Sequence, residues 1–114
     1  MKRPFLSHYM IEISGISKEL LKKDSDLTPQ INEFIERVGL TVVSKISHNF
    51  TPYGTTLVFV LSESHFAVHT WPEHNYIHLD LLSCKDVGDD ESLKKIMKDI
   101  FKSDNLNIKR IRYE

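Results

Sequence analysis

Thr55-Thr56-Leu57-Val58-Phe59-Val60-Leu61, His65-Phe66-Ala67-Val68-His69-Thr70-Trp71 and Tyr76-Ile77-His78-Leu79-Asp80-Leu81-Leu82 follow one another with only short gaps between them. The first run is β-branched and apolar on both faces, as an interior strand requires. Pro72-Glu73-His74-Asn75 supplies a turn between the second and third. Gaps this short admit hairpins but no crossover helix, so the three runs predict antiparallel strands.

Working outward, Thr51-Pro52-Tyr53-Gly54 has the residues of a turn, proline fixing one φ and glycine freeing another. Thr41 to Phe50 alternates before it, with Val42, Ile46 and Phe50 on one face and Val43 with polar residues on the other. His8 to Ile13 reads as a first strand ended by Ser14-Gly15, and Asn107 to Tyr113 as a last one. Ile16 to Lys23 begins a helix that Asp24-Ser25-Asp26 breaks, and Thr28-Pro29 restarts it, with Thr28 as cap. Ile31, Phe34, Ile35 and Val38 then form one apolar stripe, stopped at Gly39. A second helix is capped at Asp89 or Asp90, and Leu93, Ile96, Met97, Ile100 and Phe101 line its inner face. The order predicts an α+β fold, a two-layer sandwich with two helices on one face of an antiparallel sheet. The other sheet face lacks a cover, and a second copy of the chain, in a homodimer or larger homo-oligomer, is the simple way to hide it.

The 114 residues carry a formal net charge of -1 with acids and bases interspersed, so no basic stripe marks a nucleic-acid partner. They suffice for a single domain, 1–114. No apolar run approaches the ~20 residues that span a bilayer, and the start has no signal-peptide pattern. One cysteine, Cys84, excludes an internal disulfide and points to a reducing, cytoplasmic setting.

Chemistry concentrates between Ser62 and Glu73, where three hydroxyls, two carboxylates, two imidazoles and an indole lie between core segments. His65/His69 and His74/His78 have the His-x-x-x-His spacing that zinc sites use on helices. On strands the two rings of a pair stand ~13 Å apart and cannot share an ion, so no metal site is expected. Cys84 with His69 makes a candidate nucleophile pair, although a cysteine at a strand end also suits plain burial. Ser64 lacks the Gly-x-Ser-x-Gly elbow of one hydrolase fold.

Taken together, Leu61-Ser62-Glu63-Ser64-His65, Val68-His69-Thr70-Trp71-Pro72-Glu73, Asp80 and Cys84, with Phe50-Thr51-Pro52-Tyr53-Gly54 upstream, resemble the prokaryotic S-adenosylmethionine decarboxylase family. The resemblance is close over residues 40 to 84. It implies a self-processing, pyruvoyl-dependent enzyme of polyamine synthesis. The Ser64 hydroxyl attacks the Glu63 carbonyl carbon and turns the peptide bond into an ester. Loss of the Ser64 α-proton then expels the Glu63 carboxylate, and hydrolysis leaves a pyruvoyl cofactor on the new terminus. The products are a β fragment, 1–63, and an α fragment, 64–114. By the same resemblance His69 moves the proton in processing and Thr56 stands where a serine usually assists it. Cys84 protonates the carbon that loses CO2, as thiols, mostly protonated near neutrality, can do. By position, Phe50 resembles the family's ring that stacks on adenine and Glu73 the glutamate that holds the ribose hydroxyls. Leu6-Ser7-His8 and His74-Asn75-Tyr76-Ile77-His78 depart from the family pattern around the pocket, not at the cleaved bond. S-adenosylmethionine is therefore the first substrate, with L-arginine or L-ornithine, used by some relatives, as the alternative. A non-catalytic regulatory relative is a further one.

Overall fold

Strict alternation decides which side of each strand is buried. In the computed structural model, which describes residues 1–113, β1 (Ser7–Ser14) turns Tyr9, Ile11 and Ile13 inward and His8, Met10 and Glu12 outward. The same period orders β3 (Thr55–Leu61), β4 (Ser64–Trp71) and β5 (Tyr76–Ser83), which bury Leu57, Phe59, Phe66, Val68, Ile77, Leu79 and Leu81. With β2 (Val42–Asn49) and β6 (Leu106–Ile111) they form one antiparallel sheet in the order β2-β3-β4-β5-β1-β6. The hairpin run predicted from Thr55 to Leu82 is its centre.

Helices α2 (Asp24–Val38) and α3 (Asp90–Phe101) lie on the inward face, and a single helical turn, α1 (Lys18–Leu21), precedes α2. Their apolar stripes, Ile31-Phe34-Ile35 and Leu93-Met97-Ile100-Phe101, close the core against the strands. Phe34 meets Phe66 with ring centroids 5.1 Å apart, and Phe59 flanks Phe66 at 6.1 Å. The α+β two-layer sandwich is as expected, and Asp89 caps α3 by accepting from the Ser92 N–H.

Four local expectations fail. Asp24-Ser25-Asp26 does not break the helix but starts it, and Thr28-Pro29 lies inside rather than capping. The reason is tertiary. The Asp24 carboxylate accepts from Ser47 and Asn49 of β2, and Asn49 Oδ1 accepts from the Asp24 N–H, so the helix start is bound to the sheet edge. Thr28 Oγ1 instead donates back to the Asp24 carbonyl. In β2, a bulge between Val42 and Ser44 sets Val42 opposite Leu61 but Ile46 opposite Val58. The two therefore take opposite faces, because one extra residue inverts the alternation. The last strand also ends at Ile111, short of Tyr113.

Among the described residues no helix lies over the outward face. Met10, Ile46, Val58, Val60 and Ala67 share it with His8, Glu12, His65, His69, His78 and Asp80. Among the described residues no helix is long and apolar enough to cross a membrane.

Candidate active site

Two clusters stand at opposite ends of β4. At its start, β3 and β4 are joined by the two-residue turn Ser62-Glu63, with Leu61 paired to Ser64. Ser64 has φ 146°, a conformation open to glycine and costly for a side chain, about 1–3 kcal/mol. Three hydrogen bonds over-determine the turn. Ser62 N–H donates to the Thr41 carbonyl (2.9 Å), Thr41 N–H donates to Glu63 Oε1 (2.9 Å), and Cys84 N–H donates to the Glu63 carbonyl (2.8 Å). The last bond polarises the carbonyl that precedes Ser64 and lies where negative charge would develop if that carbon were attacked. The Cys84 side chain is an exposed free thiol just beyond β5, next to this turn.

At the far end of β4, Thr56 Oγ1 lies 2.9 Å from His69 Nδ1, the two residues being direct cross-strand partners. Burial pushes the His69 imidazole below its ordinary pKa; nearby His78 adds to this and Asp80 opposes it. A neutral ring is thereby favoured, one able to accept a proton. Beside it opens a cleft of about 340 Å³ lined by Phe50, Tyr53, Thr56, His69, Trp71 and Glu73, among others. Three aromatic rings and one carboxylate suit a flat, cationic ligand. A cis peptide bond precedes Pro52 in the cleft's turn, and Glu73 sits in a 3-10 turn, Pro72–His74, that ends at Asn75 with φ 52°.

The residues singled out from sequence thus fall into two groups. Glu63, Ser64 and Cys84 are brought together, and so are Thr56, His69, Phe50 and Glu73. The groups do not meet within one chain. His69 is five residues along β4 from Ser64, roughly 16 Å at the strand rise. His69 and Cys84 are further apart still, since His69 pairs with His78, six residues before Cys84. The sequence reading missed Tyr53 and Trp71 as cleft walls, although an aromatic inside a Pro-x-Gly turn next to Phe50 was a usable signal. It also missed the Cys84 N–H, which has no side-chain signature.

Between the clusters, Asp80 lies 2.8 Å from His8 Nε2 and 3.7 Å from His65 Nε2. Asp80 thus orders the open face beside His69 and carries no part of the cleft itself.

The family profile described as S-adenosylmethionine decarboxylase matches residues 7–113. The chain belongs to the S-adenosylmethionine decarboxylase family. Its relatives include the S-adenosylmethionine decarboxylase proenzyme of Archaeoglobus fulgidus, 31% identical over 98 residues, covering 86% of this chain and 88% of that one. The proenzyme of Thermosipho melanesiensis is 35% identical over 101 residues, 89% of this chain and 78% of the relative. The crystal structure of the adenosylmethionine decarboxylase from Aquifex aeolicus superposes with a TM-score of 0.77 at 22% identity, covering 99% of this chain and 97% of that chain. At that identity the superposition speaks to the fold, which the two share throughout. Family membership bears out the resemblance read from residues 40 to 84 and extends it over nearly the whole chain.

Proposed function

We propose that this chain is a self-processing, pyruvoyl-dependent S-adenosylmethionine decarboxylase whose catalytic site is completed by a second copy of the chain. The observation that carries the reading is the Glu63–Ser64 turn: a strained serine follows a carbonyl already held by a backbone N–H.

Attack by Ser64 Oγ on the Glu63 carbonyl carbon moves charge onto the oxygen that Cys84 N–H contacts. Opening the turn to an ester also relieves the unfavourable φ at Ser64. A base must take protons during this conversion. Neutral His69, oriented by Thr56, has that capacity but stands roughly 16 Å too far along its own strand. A two-fold axis between two open faces, running across the strands, brings the start of one β4 over the end of the other. That arrangement is isologous, sets one copy's Ser64 and Cys84 beside the other's His69 and cleft, and covers Ile46 and Val60, which are 71% and 50% exposed in the single chain.

The donor set at the turn fits a pyruvoyl group formed from Ser64: a carbonyl at that position keeps the small volume of serine beside Cys84. Such a group supplies an electron sink for the departing CO2. The Cys84 thiol, exposed at the same turn, then has a proton to give to the carbon left behind. Phe50, Tyr53 and Trp71 give a purine flat apolar contact, and Glu73 offers a carboxylate to hydroxyls or to positive charge. A basic amino acid brings no ring for these walls, and the relatives compared all bear the S-adenosylmethionine decarboxylase name. The lone thiol is compatible with a cytoplasmic setting.

CO2 release from S-adenosylmethionine, L-arginine and L-ornithine tests the reading. Turnover of S-adenosylmethionine alone is expected. Turnover confined to a basic amino acid would overturn the substrate, and an inert, uncut chain would leave the regulatory reading.

A further inference from the structure

Ser83, the last residue of β5, is fully buried and stands directly opposite Ser64 in the sheet register. Its hydroxyl is committed twice to one neighbour: Oγ accepts from the Lys85 N–H (2.9 Å) and donates to the Lys85 carbonyl (2.9 Å). The residue enclosed by that clamp is Cys84, whose own N–H reaches the Glu63 carbonyl at 2.8 Å. Lys85 is held a second time by its side chain, Nζ donating to the Gly39 carbonyl at 2.7 Å.

We propose that Ser83 is a positioning residue for self-cleavage, acting through Cys84: its hydroxyl fixes the bend that aims the Cys84 N–H at the Glu63 carbonyl oxygen. The inference rests on the self-cleavage reading above. In the step concerned, a bond forms from Ser64 Oγ to the Glu63 carbonyl carbon. The carbon–nitrogen bond to Ser64 breaks, and the hydroxyl proton ends on the released amine. An N–H fixed before the reaction stabilises the transient oxyanion without reorganising, and one that swings with its loop does not. A burial role alone would ask only for a small side chain, whereas the clamp asks for a hydroxyl.

The test is a time course of self-cleavage by mass for the unaltered chain, Ser83→Ala and Ser83→Thr, with hydroxylamine to trap ester. Ser83→Ala is expected to fold with a near-normal melting temperature and to cleave roughly tenfold more slowly, less than the ~10²–10³-fold cost of deleting an oxyanion donor outright. Uncut amide should accumulate, with no hydroxylamine-sensitive ester, because the slowed step precedes it. Ser83→Thr, which restores the hydroxyl between the small neighbours Ser7 and Ser64, should recover most of the rate. If Ser83→Ala fails to fold, Ser83→Cys, which keeps the volume and weakens the hydrogen bonds, is measured in its place with the same slowing expected. Cleavage of Ser83→Ala at the unaltered rate, or equal slowing in Ala and Thr variants, would overturn the role of Ser83 alone. An unaltered chain that never cleaves would overturn the self-cleavage reading and this role with it.

Discussion

Ser64 is the residue on which the account turns, and its side chain separates two outcomes cleanly. Ser64→Ala removes the attacking oxygen, so the chain should stay whole and release no CO2. Cys84→Ala keeps the backbone N–H that holds the Glu63 carbonyl and should therefore still cleave. It should lose most turnover, or place the proton on the wrong carbon, which fragment masses taken before and after substrate would reveal. His69 gives the pH dependence. Its folded pKa lies below the ordinary imidazole value of 6.5, so the neutral, proton-accepting form persists below that pH. Self-cleavage should hold its rate as pH falls through 6.5 and decline only further down, and cleavage measured against pH checks this. The same shift opposes folding in acid, because the unfolded chain binds the proton more readily. At this scale the sequence showed where chemistry-bearing side chains crowd together, as at Ser64, His69 and Cys84, whose proposed roles these variants test. It was silent where a backbone group does the work, as at the Cys84 N–H, or where strain is stored, as in the φ of Ser64.

Elements position these residues through contacts between distant segments. The start of α2 is fastened to β2 by Asp24, and hydrogen bonds from Ser47 and Asn49 hold its carboxyl below the ordinary range. Hydrogen bonds from Asn107 and Tyr76 do the same for Glu12 on the open face. A depressed carboxyl pKa contributes stability above the unfolded value that is lost as pH falls through the folded one. Asp24→Asn should therefore be less stable than the unaltered chain at neutral pH, with the difference shrinking as pH falls and the Asp24 carboxyl protonates, which urea titrations at several pH values would resolve. Phe34→Ala, which empties the contact with Phe66 beneath β4, should cost about 3–5 kcal/mol. Helix stripes and strand alternation were legible because burial repeats with their periods. The true start of α2 was not, since a good local cap at Thr28-Pro29 lost to a long-range partner that only the fold supplies.

At the scale of the whole molecule, the proposed cleavage after Glu63 would divide the sheet without opening it. Fragment 1–63 carries β1, β2 and β3, fragment 64–114 carries β4, β5 and β6, and β1 is inserted between β5 and β6. The fragments should co-elute under native conditions and separate only in denaturant. The two-copy site makes a sharper demand. Chains bearing Ser64→Ala cannot cut themselves, and chains bearing His69→Ala lack the base they would lend a partner. Mixed in one dimer, the His69→Ala chain should be cut, because its Ser64 meets an intact His69; each variant alone should stay whole or cleave slowly. The proposed spread of the site across two copies could not be read from motifs that crowd residues 50 to 84 into one stretch. It follows from strand length, which sets neighbours in sequence at opposite ends of the sheet. The most direct measurement is the intact mass of the purified 13.3 kDa chain after incubation. Two masses are predicted, residues 1–63 and a 64–114 fragment beginning with a pyruvoyl group; a single undivided chain would contradict the account.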